Sequence, residues 1–388
     1  MTMQQTPLLL SRILGRGAVL DPKVEIVTAQ AEGTHRQTLG QTWTRANQVA
    51  HALNKHGIKV GDRVASFMWN NYRHLELYQG VPSMGAVLHT LNIRLSPTDL
   101  EYIINHANDR VIFADEDLLP LLEPIWDKVP CVELLVICRH GEGGESSFKN
   151  QIDYEDFIKG QEESYDWPQI DENSPMGLCY TSGTTGKPKG VMYTHRSTYL
   201  HTLAGCLTDA MSLTALDSLL GIVPMFHAMG WGLPFNASML GCKHVMPHRF
   251  MTPDRFLQLM HDEGVTIATG VPTIWQGVKA AIEAADGKLD LSKLDRLTCG
   301  GSAPPVSMMR WYWDTLNVEM IQGWGMTETN PLGTLSRKCA KFTQQEMSED
   351  EQFVNIAKAG LTMPGLEIEI FDENWNPQPH DGETVGEL

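Results

Sequence analysis

Residues Tyr180-Thr181-Ser182-Gly183-Thr184-Thr185-Gly186-Lys187-Pro188-Lys189-Gly190 place three glycines, three threonines, a serine and two lysines in eleven positions. Such a run suits polyphosphate. Glycines and small hydroxylated residues let successive backbone N–H groups turn inward as an anion nest, while hydroxyls and a lysine ammonium add further donors. The spacing is not that of a Walker A loop, because Gly183 and Gly186 are two residues apart rather than four and Pro188 follows Lys187. A dinucleotide fingerprint is also missing: Gly323-Trp324-Gly325 and Gly230-Trp231-Gly232 lack the third glycine.

Three further segments extend the chemistry. Gly300-Gly301-Ser302-Ala303 follows the apolar Leu297-Thr298-Cys299 and permits close approach of a ligand to backbone. Gln322-Gly323-Trp324-Gly325-Met326-Thr327-Glu328 offers an aromatic platform for a purine and a carboxylate suited to Mg2+. Val223-Pro224-Met225-Phe226-His227-Ala228-Met229-Gly230-Trp231 brings a histidine and a tryptophan to the end of an apolar run.

In this order the segments resemble the signature segments of the adenylate-forming superfamily, which includes acyl-CoA synthetases, luciferases and peptide-synthetase adenylation domains. The Pro-Met-Phe-His-x-x-x-Trp pattern, followed by a helix and a Lys-x-Val-x-Pro strand (241–247), is similar to medium- and long-chain fatty acyl-CoA synthetases in particular. The resemblance implies ATP, Mg2+ and coenzyme A as co-reactants and a fatty acid as substrate. It assigns Thr181, Ser182, Gly183, Thr184, Thr185, Gly186 and Lys187 to the β- and γ-phosphates, with Thr184 and Glu328 as Mg2+ ligands. Gly301, Ser302, Ala303 and Gln322, Gly323, Trp324, Gly325 and Met326 would hold the adenine, and Thr327 the α-phosphate. His227, Trp231 and Val271 would face the acyl group; Thr184, Lys187, His227 and Glu328 form the catalytic set. Trp324 departs from the tyrosine of many relatives, keeping a stacking surface but losing a hydroxyl. The resemblance also implies a hinge and a small lid domain with an adenylation lysine beyond Leu388, so these residues are expected to be the large N-terminal domain, weak or inactive alone. An aryl or short-chain acyl ligase, or a non-catalytic adenylate-binding module, is the alternative.

The elements that must position these residues follow an α/β pattern. Apolar spacing predicts a helix over 42–56, a strand over 63–68, a helix over 72–84 and a strand over 86–91. A helix from Pro97, a strand over 110–114, a helix over 118–126 and a strand over 132–137 continue the alternation, which implies parallel sheet. Residues 140–175 read as a surface connection. Beyond the glycine-rich run, helices over 197–207 and 253–263 and strands over 218–223 and 266–269 predict a second sheet facing the first. The expected organisation is therefore two α/β subdomains, 1–175 and 176–335, and a smaller β-rich end, 336–388.

Composition narrows the function classes. A net charge of −17, with 30 Lys and Arg in 388 residues, argues against nucleic acid or an anionic membrane surface as a partner. No apolar run approaches the roughly 18 residues of a membrane span. Seven scattered cysteines without C-x-x-C point to reduced thiols in cytoplasm. His244 with His248, and His195 with His201, lack a metal-site signature and read as structural or solvent-facing. The resemblance adds the expectation of a homodimer.

Overall fold

The computed structural model describes residues 3–141, 148–181 and 186–388. Sixteen strands occur among them: β1 Glu25–Ala29, β2 Thr34–Thr38, β3 Arg63–Phe67, β4 Val87–Thr90, β5 Asp109–Asp115, β6 Leu134–Cys138, β7 Gln151–Asp153, β8 Pro175–Thr181, β9 Lys189–Thr194, β10 Ser218–Gly221, β11 Lys243–Met246, β12 Ile267–Gly270, β13 Arg296–Cys299, β14 Glu319–Gly325, β15 Leu332–Ser336 and β16 Leu361–Thr362. One sheet has the order β7-β6-β5-β3-β4-β8-β9, the other β16-β15-β14-β13-β12-β10-β11-β1-β2. Central pairs are parallel. Antiparallel pairs occur at the margins, β8 with β9, β1 with β2, and β14–β15–β16.

The sheets face one another across helices rather than touching directly. Leu14, Val49, Leu75, Tyr78 and Phe235 of the intervening helices share one buried core with Val64, Val111 and Val136 of the first sheet and Ile26 and Met246 of the second. Sheet membership also crosses the 175/176 boundary. Strands β8 and β9 complete the first sheet, whereas β1 and β2, near the start of the chain, complete the second. Sequence proximity could not reveal this, because β1 pairs with β11 over more than 200 residues.

Local sequence accounts for most of the boundaries. The helix Leu39–Lys55 begins three residues before the expected 42 because Thr38 and Gln41 form a reciprocal capping box. Asn71 and Ser96 cap Tyr72–Ser83 and Pro97–Ala107 in the same way, each accepting an N–H from the third residue on. The helix expected over 118–126 is broken into a short α-turn, Leu119–Leu122, between 3-10 segments, since Pro120 and Pro124 remove donors. The stretch 140–175 is more than a connection: β7 extends the sheet edge and Tyr154–Ile158 is helical. Residues 336–388, expected to be β-rich, hold the helices Ala340–Gln344 and Glu349–Ile356, the two-residue β16 and two isolated bridges at Phe371.

Candidate functional site

Open parallel sheets bind ligands beyond the carboxyl ends of their strands, and in this chain four such ends converge. The segments leaving β10, β12, β13 and β14 carry His227, Val271, Gly301 and Thr327. They border a cavity of about 240 Å³ whose lining includes Trp231, Thr269, Thr298, Gly301, Trp324 and Thr327. Of the residues the sequence singled out, His227, Trp231, Gly301, Gly323, Trp324, Gly325, Met326 and Thr327 line this one space.

The segment expected to face the acyl group has an unusual backbone. From Ala228 to Gly232 every φ is positive, between 41° and 81°, giving a left-handed turn that includes Ala228, Met229 and Trp231. Side-chain-bearing residues pay roughly 1–2 kcal/mol each for this conformation, so surrounding contacts must hold it. Met229 is fully buried and packs against Gly177 of β8, where a Cβ would lie 3.0 Å from its methyl carbon. The ring of Trp231 lies over Gly300, where a Cβ would come within 2.7 Å of it. Asn70 stabilises the approach to the turn: its amide donates to the carbonyls of Gly221 (2.9 Å) and Val223 (2.7 Å) and accepts from Met225 N–H (2.7 Å).

The segments expected to hold the nucleotide use glycine instead. Gly301 has φ of 77° and is exposed with Ser302 and Ala303. The Trp324 ring rests on Gly333, whose Cβ position would lie 2.6 Å from it, and borders the cavity. The β8–β9 hairpin reaches the same place. Tyr193 of β9 donates its hydroxyl to the carbonyl of Thr327 (2.7 Å), and Ser197 donates to the Asn330 amide oxygen (2.6 Å). Burial, with smaller contributions from Cys179 and Glu328, pushes the Tyr193 phenol far above its usual range and keeps it a donor.

The remaining predicted residues fall as follows. Thr181 ends β8. Ser182, Gly183, Thr184 and Thr185 lie outside the described residues. Gly186 and Lys187 are exposed on the way to β9, with the Lys187 ammonium 4.8 Å from the centre of the Tyr102 ring. Ser302, Ala303, Gln322, Val271 and Glu328 are not among the residues lining the cavity. Val271 nonetheless adjoins Gly301, where a Cβ would lie 3.3 Å from its methyl group. Gln322 is buried on β14, and its amide oxygen has no partner among the described residues. Glu328 is exposed on a 3-10 turn, Thr327–Thr329, so its carboxylate is free to meet a cation. As a hard oxygen donor it suits Mg2+, while Thr184, the other expected ligand, lies outside the described residues.

His227 is exposed at the cavity mouth, yet the protein packed around its ring and then the nearby Arg94 guanidinium lower its pKa. A neutral imidazole there can accept a proton or orient a carboxylate. His201, part-buried beside the cavity, is held neutral by the protein packed around its ring, with a pKa of about 4. Its Nε2 accepts the N–H of Leu332 at 3.2 Å, so it positions a wall of the cavity rather than carrying charge.

Several lining residues escaped the sequence reading. Thr269 and Thr298 are adjacent partners on β12 and β13, and their buried hydroxyls have no hydrogen-bond partner among the described residues. Met211, Leu332 and Leu335 come from segments whose apolar character is common to any core. Strand register would have paired the two threonines, but register depends on pairings between strands distant in sequence.

Strand-end turns from β10, β12, β13 and β14 thus gather around one cavity beside the β8–β9 hairpin. The AMP-binding enzyme family model matches residues 18–388, and the chain belongs to that family, whose members form acyl-adenylates from ATP. Over its whole length the chain is 39% identical to a medium-chain-fatty-acid–CoA ligase of Ectopseudomonas oleovorans, covering 70% of that protein. It is equally identical to a 3-methylmercaptopropionyl-CoA ligase of Ruegeria lacuscaerulensis, covering 71%, and to a long-chain-fatty-acid–CoA ligase of Thermus thermophilus, covering 69%. The fold matches the anthranilate CoA ligase AuaEII, crystallised with anthranoyl-AMP, with a TM-score of 0.84 at 23% identity over 97% of this chain and 68% of that one.

Proposed function

We propose that the protein activates a medium- to long-chain fatty acid with Mg·ATP, forming an acyl-adenylate and then an acyl-CoA thioester. The observation that carries the reading is the cavity itself, apolar at Met211, Trp231, Leu233 and Leu335 and bordered at one end by the nucleotide-side glycine turns. Relatives acting on medium- and long-chain fatty acids support it.

A carboxylate is a poor acylating agent, so its oxygen attacks the α-phosphate of ATP, pyrophosphate leaves, and AMP becomes a good leaving group for the CoA thiol. Negative charge builds on the phosphates as this happens. The residues from Thr181 to Lys187 would offer backbone and side-chain donors to the β- and γ-phosphates, and preorganised donors of this kind are worth on the order of 10²–10³ in rate apiece. Thr184 and Glu328 would hold Mg2+, which neutralises phosphate charge when bound. Gly301, Ser302, Ala303 and Gln322 to Met326 would hold the adenine, Thr327 the α-phosphate. His227 would orient the carboxylate, while Trp231 and Val271 face the acyl chain. A cytoplasmic homodimer is the setting we propose; seven unpaired cysteines fit a reducing compartment, and light scattering decides the stoichiometry.

A second reading, a short acid, is favoured by the cavity's about 240 Å³, which is below the roughly 300–1,000 Å³ of common ligand pockets. Equal identity to the 3-methylmercaptopropionyl-CoA ligase supports it as well. Calorimetric titration with non-hydrolysable acyl-AMP mimics bearing chains of two, eight and sixteen carbons separates the two. Affinity that rises by about 0.8 kcal/mol per methylene up to eight carbons or beyond supports the fatty-acyl reading. Affinity independent of chain length replaces it with the short-acid one.

A further inference from the structure

Away from this cavity, three side chains from three parts of the chain point their ligating atoms at a common centre. Asp115 ends β5, His140 follows β6, and His248 follows β11 in the other sheet. The His140 and His248 Nε2 atoms are 3.2 Å apart. His140 Nε2 is 3.2 Å from Asp115 Oδ1, and His248 Nε2 is 3.9 Å from Oδ2. All the candidate ligand atoms lie within 4.8 Å of one another. We propose that Asp115, His140 and His248 form a zinc site that joins the two sheets, with a fourth, open position for water.

Several features support a cation rather than a simple hydrogen-bonded cluster. Tetrahedral zinc with bonds of roughly 2.0–2.1 Å places its ligands about 3.3 Å apart, close to the two shorter separations here. Two imidazole Nε2 atoms and a carboxylate form a donor set that borderline divalent metals prefer over Mg2+ or Ca2+. The site is largely enclosed: Asp115 is fully buried, His248 is 4% exposed and His140 is half-buried. The carboxylate is oriented by its neighbours, accepting the Trp69 N–H at 2.8 Å and the Asn71 side-chain amide at 2.9 Å, the support that ligating carboxylates receive.

The backbone at His248 points the same way. Its φ is 55°, a left-handed conformation rarely adopted by residues with side chains. The His248 N–H donates to the carbonyl of Asn70 at 3.0 Å, which fixes the turn across the gap between the sheets. A glycine would satisfy that turn without strain; a histidine there supplies an imidazole. In the sequence His248, paired only with His244, carries no metal-site signature. The partners the fold supplies are instead Asp115 and His140, over a hundred residues away.

The test is titration of the EDTA-stripped full chain with zinc chloride, followed by calorimetry and thermal melting. The wild type is expected to bind one equivalent that Mg2+ at the same concentration does not displace, and to melt at a higher temperature when loaded. His248→Gly and His140→Asn should each weaken that equivalent at least about 100-fold, since loss of even an outer partner costs about 10–100-fold. In EDTA, His248→Gly should melt no lower than the wild type because it relieves the left-handed residue, which separates a lost ligand from a lost fold. Absence of a stoichiometric wild-type equivalent, or one that survives both substitutions, overturns the site.

Discussion

The two sides of the cavity, proposed above for the nucleotide and for the acyl group, solve the same backbone problem differently. On the nucleotide side, positive φ is given to Gly301, and the adjoining Gly300, Gly323 and Gly325 carry no side chains. On the acyl side, Ala228, Met229 and Trp231 adopt positive φ with their side chains in place. The nucleotide side thus exposes backbone, which suits a ligand recognised by N–H and C=O groups. The acyl side accepts conformational strain to keep a buried methionine and a tryptophan where they are. Strain marks the place where a side chain matters more than the ease of the turn.

The comparison breaks most clearly at Glu328. If the nucleotide side is a phosphate and metal site, Glu328→Ala should weaken Mg2+ binding in the presence of ATP by about 100-fold while leaving the far-ultraviolet circular dichroism unchanged. Calorimetry with and without Mg2+ checks this, and a wild-type Mg2+ dependence removes the carboxylate from the metal. A smaller effect probes the contact between the two sides. In Gly300→Ala the new Cβ would meet the Trp231 ring at 2.7 Å, and overpacking of this kind costs about 1–3 kcal/mol. Denaturant unfolding of the single and double substitutions should show this cost shrinking when Trp231→Ala is also present. An additive pair would mean that the ring does not rest on Gly300.

The smallest effect tests the strain itself. At a φ of 54°, Trp231→Gly should be more stable than Trp231→Ala by about 1 kcal/mol, the penalty of a Cβ in a left-handed turn. Equal stability of the two would show that the turn relaxes once the indole is removed. The same pair of variants should lose acyl-chain discrimination together, because both lack the ring.

Much of this architecture was legible in the chain. The glycine-rich run, the Pro-Met-Phe-His segment and the two glycine turns stood out because their order resembles that of one family, and the last three meet at one cavity. Element types from residue 63 to 138, the proline-broken 118–126 apart, were readable because alternating buried strands and amphipathic helices leave a periodic signature. What was not legible depends on distance in the chain. The pairing of β1 with β11, the neighbouring hydroxyls of Thr269 and Thr298, and the meeting of Asp115 with His140 and His248 all arise from register and crossover, which no local window contains. The left-handed turn at Ala228–Gly232 was hidden for another reason. Residue types there favour a right-handed conformation, and only tertiary packing reverses it.

The early position of β1 has a consequence for the life of the chain before it is complete. Its apolar residues Ile26, Val27 and Ala29 are fully buried in the finished protein, but β11, the parallel neighbour that covers one of its edges, is made roughly 200 residues later. At about 5–20 residues per second, the β1–β2 hairpin must wait on the order of 10–40 s on the ribosome with one strand edge unpaired. Over that interval this short segment is the natural place for a chaperone to hold the nascent chain.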